Sequence, residues 1–296
     1  MLSEKIVGID IGGTKISIGI LVNGKIEQFV KLETPADGTQ EEVMQQIVKG
    51  IESLEGYEDA AGIGIGAPGL IDEKEGVIFS VTNIPSWREV HLKSYLEDHF
   101  QKPVYITNDA NCFAIGVKIY GEGQPFKNVI CLALGTGVGA GVVIDGYLYS
   151  GEVAGAGEVG GLPYLDADFE TYCSGKFFKQ INKVDGQTVF EKAKQNDPEA
   201  LKMFAEFGRH VGNLIKTTIF MMAPEAVIVG GSVSNSYEFW KDAMLESVQE
   251  FPYKKVIENF QVLKTEMNDI AVIGAAALFK NRYEQDMAKA QASKVI

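Results

Sequence analysis

A glycine-threonine turn occurs twice in this chain, as Asp10-Ile11-Gly12-Gly13-Thr14-Lys15 and as Leu134-Gly135-Thr136-Gly137, each flanked by apolar runs. Sliding the second copy back by 122 positions superimposes Gly135 on Gly13, Thr136 on Thr14, Gly141 on Gly19, and Asp145-Gly146 on Asn23-Gly24. Each copy reads as strand, glycine turn, strand and a second tight turn, because Asn-Gly and Asp-Gly between apolar runs favour two-residue hairpins with positive φ at both central positions. Without a Cβ, glycine also lets backbone N–H groups approach an anion, and consecutive N–H groups make a nest for phosphate oxygens. The pair is therefore either two nests gripping one polyphosphate or two ordinary hairpins related by duplication. Asp10 aligns with Leu132, so only the first copy offers a carboxylate, which suits an oxygen-loving cation such as Mg²⁺.

Between and after the two turns, strands alternate with helices. Residues 39–54 carry apolar residues at helical spacing, residues 61–66 form a buried strand ending in Gly66-Ala67-Pro68-Gly69, and residues 88–100 read as a helix. Pro103–Thr107 is a short strand, after which Asn108-Asp109-Ala110-Asn111 opens a helix to about Tyr120, so Asp109 sits at a strand-to-helix switch. The strand-turn-strand pattern restarts at Lys127, with a domain boundary near residues 118–127. A long helix spans about 197–222, with Phe204, Phe207, Val211, Leu214, Ile215 and Ile219 on its apolar face. Ala226–Val229 is a strand ending in a third glycine turn, Gly230-Gly231-Ser232, and a last helix near 272–283 starts from the small residues Gly274-Ala275-Ala276-Ala277. This alternation predicts an α/β fold, in which ligands gather beyond the carboxyl ends of the strands, where Gly66, Asn108 and Asp109 fall.

With 296 residues, 46% hydrophobic and 23% charged, the chain is long enough for about two domains. Its formal charge of −13 argues against non-specific nucleic-acid or bilayer binding, both of which need basic patches. No apolar run approaches the ~20 residues of a membrane span, and Met1 leads almost directly into a strand at Lys5–Ile9, so a cytoplasmic location is expected. Cys112, Cys131 and Cys173 are too widely spaced for a disulfide framework or a thiolate zinc site. His91, His99 and His210 give a His-dependent triad little support.

Two local patterns mislead. Gly64-Ile65-Gly66-Ala67-Pro68-Gly69 matches the dinucleotide fingerprint, but that fingerprint must open a helix and here runs into a loop. Gly19–Lys25 resembles a P-loop until Ile26, where the Mg²⁺-holding Ser or Thr should stand.

Taken together, Asp-x-Gly-Gly-Thr-Lys at the start, Gly-Ala-Pro-Gly at 66–69, Asn-Asp-Ala-Asn at 108–111, Gly-Thr-Gly-Val-Gly-Ala-Gly at 135–141 and Gly-Glu-Val-Gly at 157–160 resemble the ROK family of repressors and sugar kinases. The resemblance covers nearly the whole chain in order. It implies an α/β protein of two ribonuclease-H-like domains, as in the actin-like ATPases, around a central cleft that holds MgATP. The last helix returns to the first domain, giving 1–118 plus 275–296 as the smaller and 119–274 as the larger. It also implies an ATP-dependent hexose kinase, usually acting on the 6-hydroxyl, with Asp109 as the base that takes the hydroxyl proton. On its own residues, without the other motifs, Asp109 reads rather as a helix N-terminal carboxylate beside a capping Asn108. By the same carry-over, Gly12, Gly13, Thr14, Gly135, Thr136 and Gly137 surround the phosphates, and Asp10 lies near Mg²⁺ through water. Lys15 adds charge there or is solvated, and Gly230 and Gly231 lie beside the adenosine or are structural. Gly66, Asn83, Asn108, Asp109, Glu158 and Glu170 face the sugar, and a homodimer is expected.

One segment departs from the family. The usual Glu-x-Gly-His histidine, which contacts sugar and zinc, is Gly161 here, and the zinc cysteine loop is replaced by the thiol-free Leu162–Asp168. The zinc ligands are lost together, which marks a zinc-free branch. Pro163, Tyr164 or Leu165 could refill the vacated space, with Tyr164 either stacking on a sugar face or packing the loop. The weakened glucose carry-over leaves an N-acetylhexosamine or a β-glucoside as alternative acceptors. Two further readings are a sugar-sensing regulator, for which the early start at Lys5 and the acidic charge leave little support, and an inactive pseudokinase.

Overall fold

In the computed structural model, which describes residues 5–293, the chain opens with β1 (Lys5–Ile11), β2 (Lys15–Val22), β3 (Lys25–Glu33), α1 (Gln40–Glu52) and β4 (Ile63–Ala67). The short strands β5 (Leu70–Asp72), β6 (Val77–Phe79) and β7 (Glu89–Val90) precede α2 (Leu92–Phe100), β8 (Val104–Asn108) and α3 (Asp109–Tyr120). Next come β9 (Val129–Leu134), β10 (Val138–Ile144), β11 (Tyr147–Tyr149), β12 (Pro163–Tyr164), β13 (Ala167–Asp168), α4 (Phe169–Cys173), α5 (Gly186–Lys194) and α6 (Pro198–Met222). The described chain closes with β14 (Ala226–Gly230), α7 (Tyr237–Gln249), α8 (Lys254–Ile257), β15 (Gln261–Lys264) and α9 (Ile270–Ala292).

The sequence duplication is a duplication of sheets. One five-stranded sheet has the order β3-β2-β1-β4-β8 and the other β11-β10-β9-β14-β15, the same order with β9, β10, β11, β14 and β15 standing for β1, β2, β3, β4 and β8. In the first, β1 is antiparallel to β2 and parallel to β4, which is parallel to β8; in the second, β14 is parallel to both β9 and β15. Both tight turns are as their sequences demand, with φ of 51° and 77° at Asn23-Gly24 and 52° and 85° at Asp145-Gly146. Gly12–Thr14 and Gly135–Gly137 each link consecutive strands, one residue out of step with the superposition that aligns the hairpin turns.

The chain divides into two compact units, unit 1 from the segments up to Gln124, Val143–Ala156 and Met267 onward, and unit 2 from Pro125–Val142 and Gly157–Glu266. This differs from the expected split at 118/119 and 274/275, and unit 1 holds more of the chain. The reason is packing: Leu148 is buried with Cys112, Ile115, Ala275 and Leu278, and its N–H donates to Asn281 Oδ1 at 3.1 Å.

In unit 1, α1 and α9 cover opposite faces of the first sheet. Strand alternation sends Val7, Ile9, Ile16, Ile18 and Ile20 towards Val43, Ile47 and Ile51 of α1, while Ile6 and Leu21 join Val272, Ala276 and Phe279 of α9. A Thr39–Glu42 capping box starts α1. The small residues let α9 approach closely: a Cβ on Gly64 would collide with Ala275 O, and one on Gly274 with Cys112 O. The glycines of the false dinucleotide fingerprint are thus explained by helix packing and, at Gly69 (φ 99°), by a turn.

Two boundaries moved. Glu89–Val90 pairs with β6 because Val90 is buried, so the helix expected from 88 starts at Leu92. The last helix continues to Ala292 because its polar half is also anchored, with Tyr105 Oη donating to Asp286 at 2.7 Å. In unit 2, Asp197 caps α6 ahead of Pro198, and all six residues expected on its apolar face are buried.

Candidate active site

The site residues of unit 1 are set by strand register. Directly paired residues share a sheet face, and the pairings Lys31–Ser17, Ser17–Asp10, Asp10–Gly66 and Gly66–Thr107 form one row across all five strands. Gly66 leaves a gap between Asp10 and Thr107, and Cys112 Sγ lies 3.0 Å from where its Cβ would be. One residue beyond the row, Asn108 caps α3, accepting the Asn111 N–H at 2.8 Å and donating through Nδ2 to Ala154 O at 2.9 Å. Asp109 follows as the first residue of α3, exposed, with Oδ1 accepting the Ala110 N–H at 2.8 Å.

Burial pushes the Asp10 carboxyl from its ordinary 3.8 up to about 6, the Asp109 charge adds to the rise, and Lys31 opposes it. Asp10 and Asp109 thus lie near enough at the strand ends for the charge of one to act on the other, and a carboxyl perturbed by burial and a charged neighbour is typical of functional sites. Cys112, fully buried beside them, is raised well above its ordinary thiol value by burial and then by Asp10, Asp109 and Glu73.

The first glycine turn is stapled from β3 outward: Gly12 N–H donates to Lys15 O at 2.9 Å, and Thr34 donates through Oγ1 to Gly12 O at 2.7 Å and through N–H to Thr14 O at 3.0 Å. Gly13 is pressed against Asn83, which leaves no room for a Cβ there, so the structure brings these two predicted residues together. Thr14 and Lys15 are exposed.

In unit 2 the second and third glycine turns meet. Gly231, at φ 85°, lies against Leu134 O with no space for a side chain, Gly230 pairs with Ala133, and Gly135 lies 3.5 Å, measured from its absent Cβ, from Ser232 Oγ. Gly135 N–H donates to Gly137 O at 3.0 Å, and Gly175 N–H donates to Gly135 O at 2.8 Å. Glu170 is drawn to this turn: Oε2 accepts the Val138 N–H at 3.2 Å, and Oε1 accepts Lys176 Nζ. Glu158 is exposed, between Gly157, packed on Ala140 O, and Gly160, packed on Val138 O.

The segment where the family zinc would stand is held by aromatic packing. Tyr164 stacks on Phe169 with ring centroids 4.2 Å apart, and its hydroxyl meets His210 Nδ1 at 3.0 Å and accepts from Asn213 Nδ2 at 2.7 Å. Of the two readings of Tyr164, loop packing is the one observed. Gly161 has nothing within 4 Å of a Cβ position. Among the described residues, no group of three or more His, Cys, Asp or Glu could hold a metal ion, and the three cysteines are buried.

Lys31, Glu73 and Lys176 were missed by sequence reasoning. Counting back from the Asn23-Gly24 turn would set Ser17 opposite Val30, but a bulge at Ile20/Leu21 shifts the register and brings Lys31 into the Asp10 row. Lys176 follows Ser174-Gly175, and its distance in sequence from the turn at Gly135 hid its place.

Two glycine turns on duplicated sheets, with paired carboxylates at the strand ends of one, define a nucleotide-handling α/β class. Residues 6–282 match the ROK family model. The chain belongs to the ROK family and has the two-domain actin-like ATPase fold of its sugar kinases. It is 29% identical to a glucokinase of Thermotoga maritima, covering 94% of this chain and 98% of that one. A ROK glucokinase from Streptomyces griseus, solved with glucose and AMPPNP, is 30% identical with a TM-score of 0.74, covering 93% of this chain and 98% of that one. The xylose repressor of Bacillus spizizenii is 27% identical, covering 88% of this chain and 73% of its own length.

Proposed function

We propose that this chain is an ATP-dependent hexose kinase that transfers the γ-phosphoryl group of MgATP to a sugar hydroxyl, the 6-hydroxyl of glucose or a related hexose. The observation that carries the reading is the Asp10–Asp109 pair, in which burial and mutual repulsion raise one carboxyl to about 6. Asp109, exposed at the helix start, acts as general base: the acceptor oxygen bonds to the γ-phosphorus, the bond to the ADP oxygen breaks, and the hydroxyl proton passes to Asp109.

Asp10 suits Mg²⁺ because a cation would offset the charge that the fold leaves strained, and Mg²⁺ bound to nucleotide needs only one or two protein carboxylates besides water and phosphate. Mg²⁺ supplies charge neutralisation on the phosphates. Gly12 and Gly135 spend their N–H groups closing their own turns, so the phosphate-facing donors are those of Gly13 and Thr14 and of Thr136 and Gly137. Lys15, Lys31 and Lys176 add positive charge, and Gly230 and Gly231 shape the adenosine side. Gly66, Asn83, Asn108, Glu158 and Glu170 form the sugar-facing set. The partners are the sugar and ATP, without nucleic acid or membrane, and the setting is a cytoplasmic homodimer.

The open space at Gly161 favours a second reading of the acceptor, in which the sugar carries an added group, as an N-acetylhexosamine or a β-glucoside does. ADP release from MgATP, measured against glucose, mannose, fructose, N-acetylhexosamines and β-glucosides, tests both. Stimulation by a free hexose supports the first reading, stimulation confined to substituted sugars supports the second, and no stimulation by any sugar overturns the kinase assignment.

A further inference from the structure

Behind the Asn108–Asp109 turn, unit 1 contains a closed ring of polar contacts, of which Glu73, Thr107 and Arg282 have no role in the reading above. Glu73, just past β5, accepts Thr107 Oγ1–H on one carboxylate oxygen and Arg282 Nη2 at 2.6 Å on the other. Asn111 Nδ2 donates to Thr107 Oγ1 at 3.0 Å, and its N–H donates to Asn108 Oδ1 at 2.8 Å. Asn108 continues the chain to Ala154 O, and Arg282 also donates to Leu148 O at 3.1 Å and to Ser150 Oγ. Ser150 and Ala154 belong to one short segment, so the path from Arg282 through Glu73, Thr107, Asn111 and Asn108 returns to where it began.

The ring is buried at its centre, with Thr107 and Asn111 both at 0% exposure. The Glu73–Arg282 ion pair is only partly buried, with side chains 20% and 17% exposed, and desolvation offsets part of its attraction, so it is a weak source of stability; the better-attested use of such a pair is to impose one geometry. The geometry imposed here is an unusual one. Val153 and Ala154 hold φ of 46° and 56°, where side chains other than glycine are strained, and such strain persists only where surrounding contacts over-determine it. The bonds at Ser150 and Ala154 supply that restraint at both ends.

We infer that Glu73, Thr107 and Arg282 are positioning residues that hold Asn108, Asp109 and the 150–154 segment in the alignment needed for proton abstraction from the acceptor. This rests on the kinase reading and adds to it the device that aligns the base. The charge of Glu73 fixes Arg282 and, through Thr107 and Asn111, sets the cap that aims Asp109. None of the three touches the reacting atoms.

Thr107→Val and Thr107→Ser separate this role from a purely structural one, because valine keeps the volume and drops the hydroxyl, whereas serine keeps it. Steady-state kinetics with the preferred sugar and MgATP should show kcat for Thr107→Val lowered about 10- to 100-fold, the range expected when a reacting group is misplaced by an ångström. KM for ATP should stay within twofold, and Thr107→Ser should hold kcat within threefold of the wild type. Glu73→Gln, which can satisfy Thr107 but not the charge of Arg282, should fall between them, and circular dichroism at the assay temperature confirms the fold. A folded Thr107→Val enzyme with normal kcat overturns the inference, as does a serine variant no better than valine, or a parallel loss of kcat and ATP affinity. A wild type that phosphorylates no sugar in the same assay overturns the kinase reading and this inference together.

Discussion

Replacing Asp10 with Asn removes a charge while keeping the shape of the side chain, and the free protein should become more stable for it. The carboxyl titrates near 3.8 in an unfolded chain and at about 6 in the folded one, so over that interval the unfolded state gives up its proton first. The folded state binds more protons there, and stability falls as pH rises from about 4 to about 6. Above that window the penalty is complete. At 1.36 kcal/mol for each unit, a rise of about two units sets it at no more than about 3 kcal/mol, reduced by whatever solvent reaches the exposed part of the group. Urea or thermal unfolding of the metal-free, nucleotide-free protein, wild type against Asp10→Asn, measures the difference at pH 4, 6 and 8. The variant should match the wild type at pH 4 and exceed it at pH 8, where added Mg²⁺ with nucleotide should stabilise only the wild type appreciably. Catalysis should fail in the same variant, a gain in stability bought with function. Equal stability at pH 8, or a gain independent of pH, would refute the reasoning that burial and Asp109 strain this carboxylate.

Other expectations follow from particular contacts. Tyr164→Phe removes the hydroxyl that serves His210 and Asn213, which should lower stability by about 1 kcal/mol by leaving partly buried groups unpaired; sugar KM should hardly change, and a large rise in KM with unchanged stability would restore the sugar-stacking role. Treatment with a zinc-selective chelator should leave kcat unaltered when Mg²⁺ is in excess, because aromatic packing holds the 162–173 segment; lost activity that zinc restores would contradict this.

What the sequence revealed and concealed follows from the range of the forces involved. The hairpin turns were legible because Asn23-Gly24 and Asp145-Gly146 need positive φ locally, and the α6 face because helical spacing repeats within the helix itself. The start of α3 was legible too, since Asn108 caps it from the adjacent position. Lys31 was not, because a bulge in β3 changes register without a signature in nearby residues. The Glu73–Arg282 pair joins residues 209 positions apart, and only the topology of unit 1 brings them together. The place of the Val143–Ala156 segment was hidden for a similar reason: Leu148 belongs by sequence to the second repeat, yet its buried side chain packs with α3 and α9. The resemblance to the ROK family supplied the site roles that no local pattern could.

The central claim is that Asp109 takes the proton from a sugar hydroxyl as phosphate is transferred. A single-turnover experiment with purified wild type and Asp109→Asn, MgATP and the best sugar of the panel, following sugar phosphate by phosphorus NMR, tests it most directly. Sugar phosphate should form with the wild type, whereas the variant, folded and still binding both ligands, should be slower by about 10²- to 10⁴-fold. Tight sugar binding without phosphoryl transfer by the wild type, or a variant that transfers phosphate at a nearly normal rate, would contradict the claim.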